Sequence, residues 1–336
     1  MSNIEKWRNF SMASINDVAK LAMVSKSTVS LVVNNKGYVS EETRSKVEKA
    51  MKELNYIPSQ LARNFSAQKS GIVGIVMPDV MHPFFSTFIK YAERYLYEKG
   101  YNAMVCGTVG REMIEETYLN MLNRHVMDGI IMGVHTLDVE KYKETTRPIV
   151  TLDRFIDADI PMVSSNHKQA AEITTKVLKD RNCKRVVQII GSKLANTPTG
   201  DYAKYCRMFL EENNIEVCNV ETESNSFTIE GYEKAAEKVF KNHPNIDAII
   251  GVDIVILLCL KLALKKGYEV PKDLKLISYD GTYITRLGEK TITSIVQPIE
   301  SLAKESVKKI IQLIEDKEIE NKKSLLDVSL QAGETT

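Results

Sequence analysis

From Gly71 to the C-terminus, strand-length apolar runs alternate with amphipathic helical stretches, and no other feature limits the fold as strongly. Runs at 72–77, 103–106, 129–134, 149–152, 186–190, 248–252, 276–279 and 292–296 have the length and β-branched content of buried strands. Helical patterns fall at 84–99, 112–123, 169–179, 202–212, 229–241, 254–265 and 299–315. Parallel strands need crossovers of this kind, so the spacing predicts an α/β fold with helices on both faces of parallel sheets. About 266 residues is large for one sheet, and two doubly wound lobes are expected. Ligands of such sheets sit beyond the carboxyl ends of the strands, where this chain carries Asp79, Asp153, Asp253 and Asp280.

The first 70 residues differ in charge and period. They hold 11 Lys and Arg against 6 Asp and Glu, hence +5, whereas the remainder holds 34 against 38, hence −4, giving the overall +1. A basic head on a slightly acidic body is the arrangement of a nucleic-acid-binding module joined to a part with another task. Within 14–57, Ser14 and Asp17 form a capping box ahead of the apolar stripe Val18, Ala19, Leu21 and Ala22. Met23 and Val24 make a turn, and Ser25 caps a second helix with Val29, Val32 and Val33 inward. After Asn34, Asn35 and Gly37, Ser40 opens a third helix with Glu41 and Glu42 at its positive end and Val47, Ala50, Met51 and Leu54 on its buried face. Two helices joined by so short a turn, with a third for support, are a helix-turn-helix.

Other classes lose support. The longest apolar run, 254–260, is broken at Lys261 and cannot span a bilayer. Residues 1–12 lack the apolar stretch of a secretory signal, and Met12 is an alternative start, so a cytoplasmic protein with no membrane partner is expected. The five cysteines form no C-x-x-C pair and the five histidines no ligand cluster; neither a metal nor another cofactor is expected. No phosphate loop, nucleophile elbow or nucleophile–base pair is present, so an enzyme is not expected and no catalytic residue is assigned.

The residues also carry a family resemblance. Asn16-Asp-Val-Ala-Lys-Leu-Ala22, Val24-Ser-Lys-Ser-Thr-Val-Ser30, Asn34-Asn35, Tyr38-Val-Ser-Glu-Glu-Thr-Arg44 and Tyr56-Ile-Pro-Ser-Gln-Leu-Ala-Arg63 resemble the head of the lactose repressor/galactose repressor family. Gly74-Ile-Val-Met-Pro-Asp79, Pro83-Phe-Phe85, Asp128-Gly-Ile-Ile131, Gly231-Tyr232, Val270-Pro271, Ser278-Tyr-Asp280 and Gln297-Pro298 agree in the body. The resemblance runs from about residue 13 to the C-terminus. It implies a homodimeric transcriptional regulator, usually a repressor, bound to a pseudo-palindromic double-stranded DNA operator and controlled by a small carbohydrate-derived effector between two lobes like those of periplasmic sugar-binding proteins. The implied organisation is an extension at 1–12, the helix-turn-helix at 13–58, a hinge helix at 59–70 and an effector-binding and dimerisation core at 71–336. Its first lobe takes 71–166 with 298–323, and its second takes 167–297 with 324–336.

Carried onto this sequence, the resemblance places Lys26, Ser27 and Leu31 at base edges and Thr28, Ser30 and Asn34 at phosphates. In the hinge, Leu61, Arg63 and Phe65 approach the minor groove, with Phe65 as the wedge. Effector contacts fall to Phe84, Phe85, Arg154, Asp201, Phe227, Asp253 and Asp280. The chain departs from the pattern at Leu31 (often Arg or His), Met23 (often Gly), Phe65 (usually Leu), Asp201 (commonly Arg) and Ser165 (commonly Asp). Leu31 offers a base only apolar contact, and the changes at Asp201 and Ser165 point either to a ligand different from the usual ones or to a changed pocket that binds weakly. The competing reading is a cytoplasmic carbohydrate-binding protein that kept a non-functional head. Residues 325–336 show no heptad extension, so a coiled-coil tetramer is not expected.

Overall fold

The computed structural model describes residues 13–35, 37–57, 69–108, 113–134, 136–191, 198–222 and 227–336. The chain divides into two compact units, 1–70 and 71–336.

The first unit holds α1 (Ile15–Leu21), α2 (Lys26–Asn34) and α3 (Glu41–Glu53). Each begins on a serine whose hydroxyl accepts a backbone N–H: Ser14 from Asp17, Ser25 from Thr28 and Ser40 from Thr43. Val18, Val29 and Val47, one from each helix, are fully buried at the centre of a small core. α1 stops in a Schellman ending, with Val24 N–H donating to Ala19 C=O and Met23 N–H to Lys20 C=O. That ending puts Met23 at φ 55°, the left-handed region that favours glycine, with its side chain 93% exposed. Asn35 closes α2 in the same conformation at φ 50°, and Arg44 donates to its side-chain oxygen at 2.8 Å.

The second unit runs β1 (Ile72–Met77), α4 (Pro83–Glu98), β2 (Asn102–Gly107), α5 (Ile114–Asn123), β3 (Gly129–Met132), α6 (Val139–Lys143), β4 (Ile149–Leu152) and β5 (Met162–Ser165). It continues through α7 (His167–Asp180), β6 (Arg185–Ile190), α8 (Pro198–Glu212), β7 (Glu216–Glu221), α9 (Ile229–Asn242), β8 (Ala248–Val252) and α10 (Asp253–Lys265). β9 (Lys275–Asp280), a 3-10 turn at Tyr283–Arg286, β10 (Thr293–Val296), α11 (Ile299–Ile314), β11 (Lys323–Leu326) and β12 (Ser329–Gln331) complete it. The strands form two six-stranded sheets, ordered β11-β5-β4-β3-β1-β2 and β12-β10-β9-β8-β6-β7, parallel throughout except for β12.

Strand order reverses at β1 in one sheet and at β6 in the other, which opens a crevice at the carboxyl ends of each. Helices cover both faces: Val73 and Ile75 pack under α4 and α11, whereas Val76, Ile130 and Met132 pack toward α5. Close approach is built in at Gly129, where a Cβ would lie 2.9 Å from the Ile310 side chain of α11. The chain passes between sheets after β5, after β10 and after β11. The last passage corrects the sequence boundary at 323/324: Lys323–Leu326 pairs in parallel with β5 as part of the first sheet, and only Ser329–Gln331 joins the second. Four strands escaped the sequence pattern (β5, β7, β11 and β12) because they are short or alternate with polar residues, as at Glu216–Glu221.

Met23→Gly is expected to stabilise the first unit by roughly 0.5–1 kcal/mol, since the left-handed conformation costs an L-residue about 1–2 kcal/mol and glycine returns part of that as unfolded-chain entropy. Denaturant unfolding followed by far-UV circular dichroism measures it; a loss of stability would contradict the strain assigned to Met23.

Candidate functional site

In the first unit, the N-terminal half of α2 is the chemically exposed surface. Lys26, Ser27 and Leu31 are exposed, while Val29 and Val32 on the other side of the helix are 0% and 5% exposed. Ser27 Oγ lies 2.6 Å and Thr28 Oγ1 2.8 Å from Ser25 Oγ, so the cap and the two hydroxyls share one hydrogen-bonded cluster at the helix start. Asn34 donates to Ser30 Oγ at 3.2 Å, which points both half-buried groups along one edge of the helix. Tyr38, 94% exposed in the loop after α2, was not singled out by sequence reasoning, although an aromatic in a short polar loop was the available signal. Leu61, Arg63 and Phe65 lie outside the described residues.

In the second unit, side chains from both lobes meet across the crevice. Phe85 of α4 and Phe227, just before α9, approach edge to face with ring centroids 6.0 Å apart. His82, at the start of α4, is 5.4 Å from Phe85 and 5.8 Å from Phe227. Its ring is 6% exposed and its Nδ1 is buried without a hydrogen-bond partner among the described residues. Burial draws the His82 imidazole down to about 4, against the opposing pull of Asp79, so the ring is neutral near pH 7. Phe84 is a correction: it is 5% exposed in the core of the first lobe beneath α11, because its neighbour Phe85 takes the crevice-facing position on the helix. A cavity of about 480 Å³ also opens between the lobes, bounded by Ser86, Lys90 and Tyr91 of α4, by Thr282 and Arg286, and by Gln297.

The acids at the strand ends have distinct surroundings. Asp253 is a second correction: at 1% exposure it accepts from Gly281 N–H, Thr282 N–H and Thr282 Oγ1, so its oxygens are spent holding the turn after β9. Asp280 accepts from Gln297 Nε2 at 2.7 Å, and Gln297 Oε1 in turn accepts from Ser165 Oγ at 2.7 Å. Burial, reinforced by Asp253, pushes the Asp280 carboxyl well above the usual range. Asp153 and Asp280 sit at φ 48° and 122°, conformations that cost L-residues free energy and cluster at functional sites. Arg154 donates to its neighbour Asp153 C=O at 2.9 Å; burial draws the guanidinium down, while Asp153 and Glu115 oppose the shift. Asp201 is a surface residue on α8, 3.1 Å from Lys204 Nζ. Asp79 turns back to accept from Met81 N–H. Among the described residues no group of three or more His, Cys, Asp and Glu is placed to hold a metal ion. The structure thus brings Phe85 and Phe227 together with His82, and Asp280 together with Gln297 and Ser165; His82 and Gln297 were not among the site residues expected from the sequence.

Residues 70–331 match the family described as periplasmic binding proteins and sugar-binding domain of the LacI family, and residues 14–59 match bacterial regulatory proteins of the lacI family. The chain belongs to the lacI family. It is 33% identical to the sucrose operon repressor of Streptococcus mutans serotype c over 96% of this chain and 99% of that protein. It is 34% identical to the ribose operon repressor of Halalkalibacterium halodurans over 97% of each. The fold is shared with the Lac repressor dimer bound to operator and the anti-inducer ONPF (TM-score 0.84, 23% identity, 96% of this chain and 99% of that one). This lacI-family protein is therefore a DNA-binding transcriptional regulator of the repressor type, not an enzyme, with its DNA-binding part in the helix-turn-helix and its ligand-binding part in the two-lobed body. Among its described residues no helix is long and apolar enough to cross a membrane.

Folded, the His82 ring resists protonation until about pH 4; unfolded, it takes a proton near 6.5. Its stability contribution is therefore complete above about pH 6.5 and is lost as pH falls toward 4, by about 3 kcal/mol in total. His82→Phe is expected to remove that acid-side slope in unfolding free energy measured against pH, and an unchanged slope would show that His82 is not the group responsible.

Proposed function

We propose that this protein represses transcription as a homodimer on a pseudo-palindromic operator, in the cytoplasm, and that a small polar carbohydrate-derived effector held between its lobes controls the binding. The aromatic contact of Phe85 with Phe227, beside the buried and unpartnered His82 nitrogen, carries the effector reading. Aromatic faces suit the C–H faces of a sugar ring, and an imidazole nitrogen without a partner accepts a hydroxyl. Asp280 and Arg154 supply further polar contacts. The two relatives named for sucrose and ribose operons support the same ligand class.

On DNA, α2 enters the major groove. Lys26 and Ser27 reach base edges or phosphates, Leu31 contacts a thymine methyl, and Thr28, Ser30 and Asn34 position the helix on phosphates. The hinge, with Leu61 and Arg63, brings Phe65 to the minor groove as a wedge. Dimerisation is supported by the second lobe, where Leu257, Leu258 and Leu262 of α10 are only partly buried and Tyr283 and Leu287 are 59% and 73% exposed.

Selection of bound duplexes from a random pool tests the reading, and a palindromic consensus is expected. Against it, Lys26→Ala should weaken binding about tenfold, the loss of roughly one good contact, and Leu31→Arg should change the preferred base at one position of each half-site. Lys49→Ala, exposed on α3 away from α2, should stay within about twofold by the same reasoning. No enrichment at low salt would instead favour the carbohydrate-binding protein with a non-functional head. D-Ribose and sucrose are the first effector probes, and measured binding only to an unrelated class such as a purine would refute the carbohydrate reading.

A further inference from the structure

The cavity of about 480 Å³ beside the second crossing is separate from the contact of Phe85 with Phe227. Its first-lobe wall is the stripe Ser86, Thr87, Lys90 and Tyr91 of α4, together with Glu300 at the start of α11. At about 100° per residue that stripe centres roughly opposite Phe85 on the helix, so the two sites use different faces of α4. The second-lobe wall is the turn after β9, with Thr282, Tyr283 and Arg286, and Gln297 closes the cavity between the two. The volume falls within the range of small-molecule sites, about 300–1,000 Å³.

Charge in the lining is unbalanced. Lys90 and Arg286 are exposed, one on each lobe, and neither has an ion-pair partner among the described residues. Lys90 Nζ lies 5.5 Å from the centroid of the Tyr91 ring, a cation–π distance that keeps it beside the cavity wall. Glu300 is the one carboxylate among the lining residues, and it is already engaged: Arg94 Nη2 and Tyr95 Oη both donate to its Oε1. The hydroxyls are one-sided in a different way. Ser86 Oγ and Thr87 Oγ1 donate to Pro83 C=O at 3.2 and 2.6 Å, and Thr282 Oγ1 donates to Asp253 Oδ2 at 2.6 Å. Each has spent its only proton on the protein and offers a ligand lone pairs alone.

We propose that this cavity is a second ligand site, for a small polyhydroxylated anion such as a sugar phosphate or a sugar acid. Lys90 and Arg286 hold the anionic group, and Ser86, Thr87 and Thr282 accept from its hydroxyls. A simple inorganic anion satisfies the two cations but gives the three acceptors nothing to bind, and a neutral sugar does the reverse. The ligand therefore needs both halves. Because its cations come from different lobes, the site binds best when α4 and the turn after β9 are held at one separation, and occupancy favours that placement of the lobes. Gln297 lines the cavity and also donates to Asp280, so the site adjoins the hydrogen bonds of the second crossing.

Calorimetric titration of the full chain with D-ribose 5-phosphate and with D-gluconate, at constant ionic strength in chloride, tests this and separates a phosphate ester from a carboxylate. At least one should bind, and inorganic phosphate should bind at least about tenfold more weakly than the tighter of the two. Lys90→Gln and Arg286→Gln should each weaken that anion about tenfold, the loss of one charge-assisted contact, whereas Lys90→Arg should stay within about threefold. Both positions are exposed, and circular dichroism checks that the variants are folded. Lys272→Gln removes a second-lobe cation that pairs with Glu269 outside the cavity and should stay within about twofold. Absence of binding by both anions overturns the proposal, as does equal weakening by Lys272→Gln, which marks a general charge effect. Inorganic phosphate bound as tightly as the sugar anion overturns it too. Weakening by Phe227→Ala in place of Lys90→Gln and Arg286→Gln would put the anion against the aromatic pair and overturn the second site while leaving the effector reading standing.

Discussion

Two sheets that share one chain must exchange it at their edges, and in this protein the exchange points carry buried polar groups that have to satisfy one another. The backbone crosses after β5, β10 and β11. At the first two crossings Ser165 donates to Gln297 and Gln297 donates to Asp280, while His167 spans Asp153 and Tyr279. An unpaired buried donor or acceptor costs about 1–3 kcal/mol, so loss of any one of these partners weakens the junction by more than the bond it removes. The relative placement of the lobes therefore depends on a few hydrogen bonds rather than on apolar area alone.

The same junction explains where strain and charge collect. Asp153 and Asp280 follow directly on buried strands, at φ 48° and 122°, and their carboxyls turn toward the crossings. Environment shifts them in opposite directions: against burial, His167, Ser164 and Arg154 draw Asp153 below its ordinary value, whereas burial beside Asp253 pushes Asp280 above its own. Two acids of one residue type are thus pushed apart in how readily they ionise within one junction. In the DNA-binding unit the corresponding strain is at Met23, φ 55°, where a short turn between α1 and α2 fixes the second helix against the first.

Much of this was legible in the sequence. The strands at 72–77, 149–152 and 248–252 coincide with β1, β4 and β8, because fully buried parallel strands are unbroken apolar runs. Ser14, Ser25 and Ser40 were legible as caps because capping is a local interaction over three residues. Edge strands β7, β11 and β12 were not, since half their side chains face solvent. Among the proposed ligand contacts, Phe85 and Asp280 come from quoted motifs and Phe85 meets Phe227 edge to face, whereas Phe84 and Asp253 are internal. A motif names a position on the chain but does not give the rotation about the helix or the partner in space.

The sequence by itself determined the three-helix head, the alternation of strands and helices, the family and the acids at the strand ends, because each of these is written in local spacing. Only the tertiary structure decided which acid is pushed up and which is drawn down, which of two adjacent phenylalanines reaches the crevice, and that His167 stands between Asp153 and Tyr279. Asp153 and Tyr279 lie 14 and 112 positions from His167 along the chain. Their juxtaposition comes from two sheets meeting at a crossing, and local spacing holds no record of it.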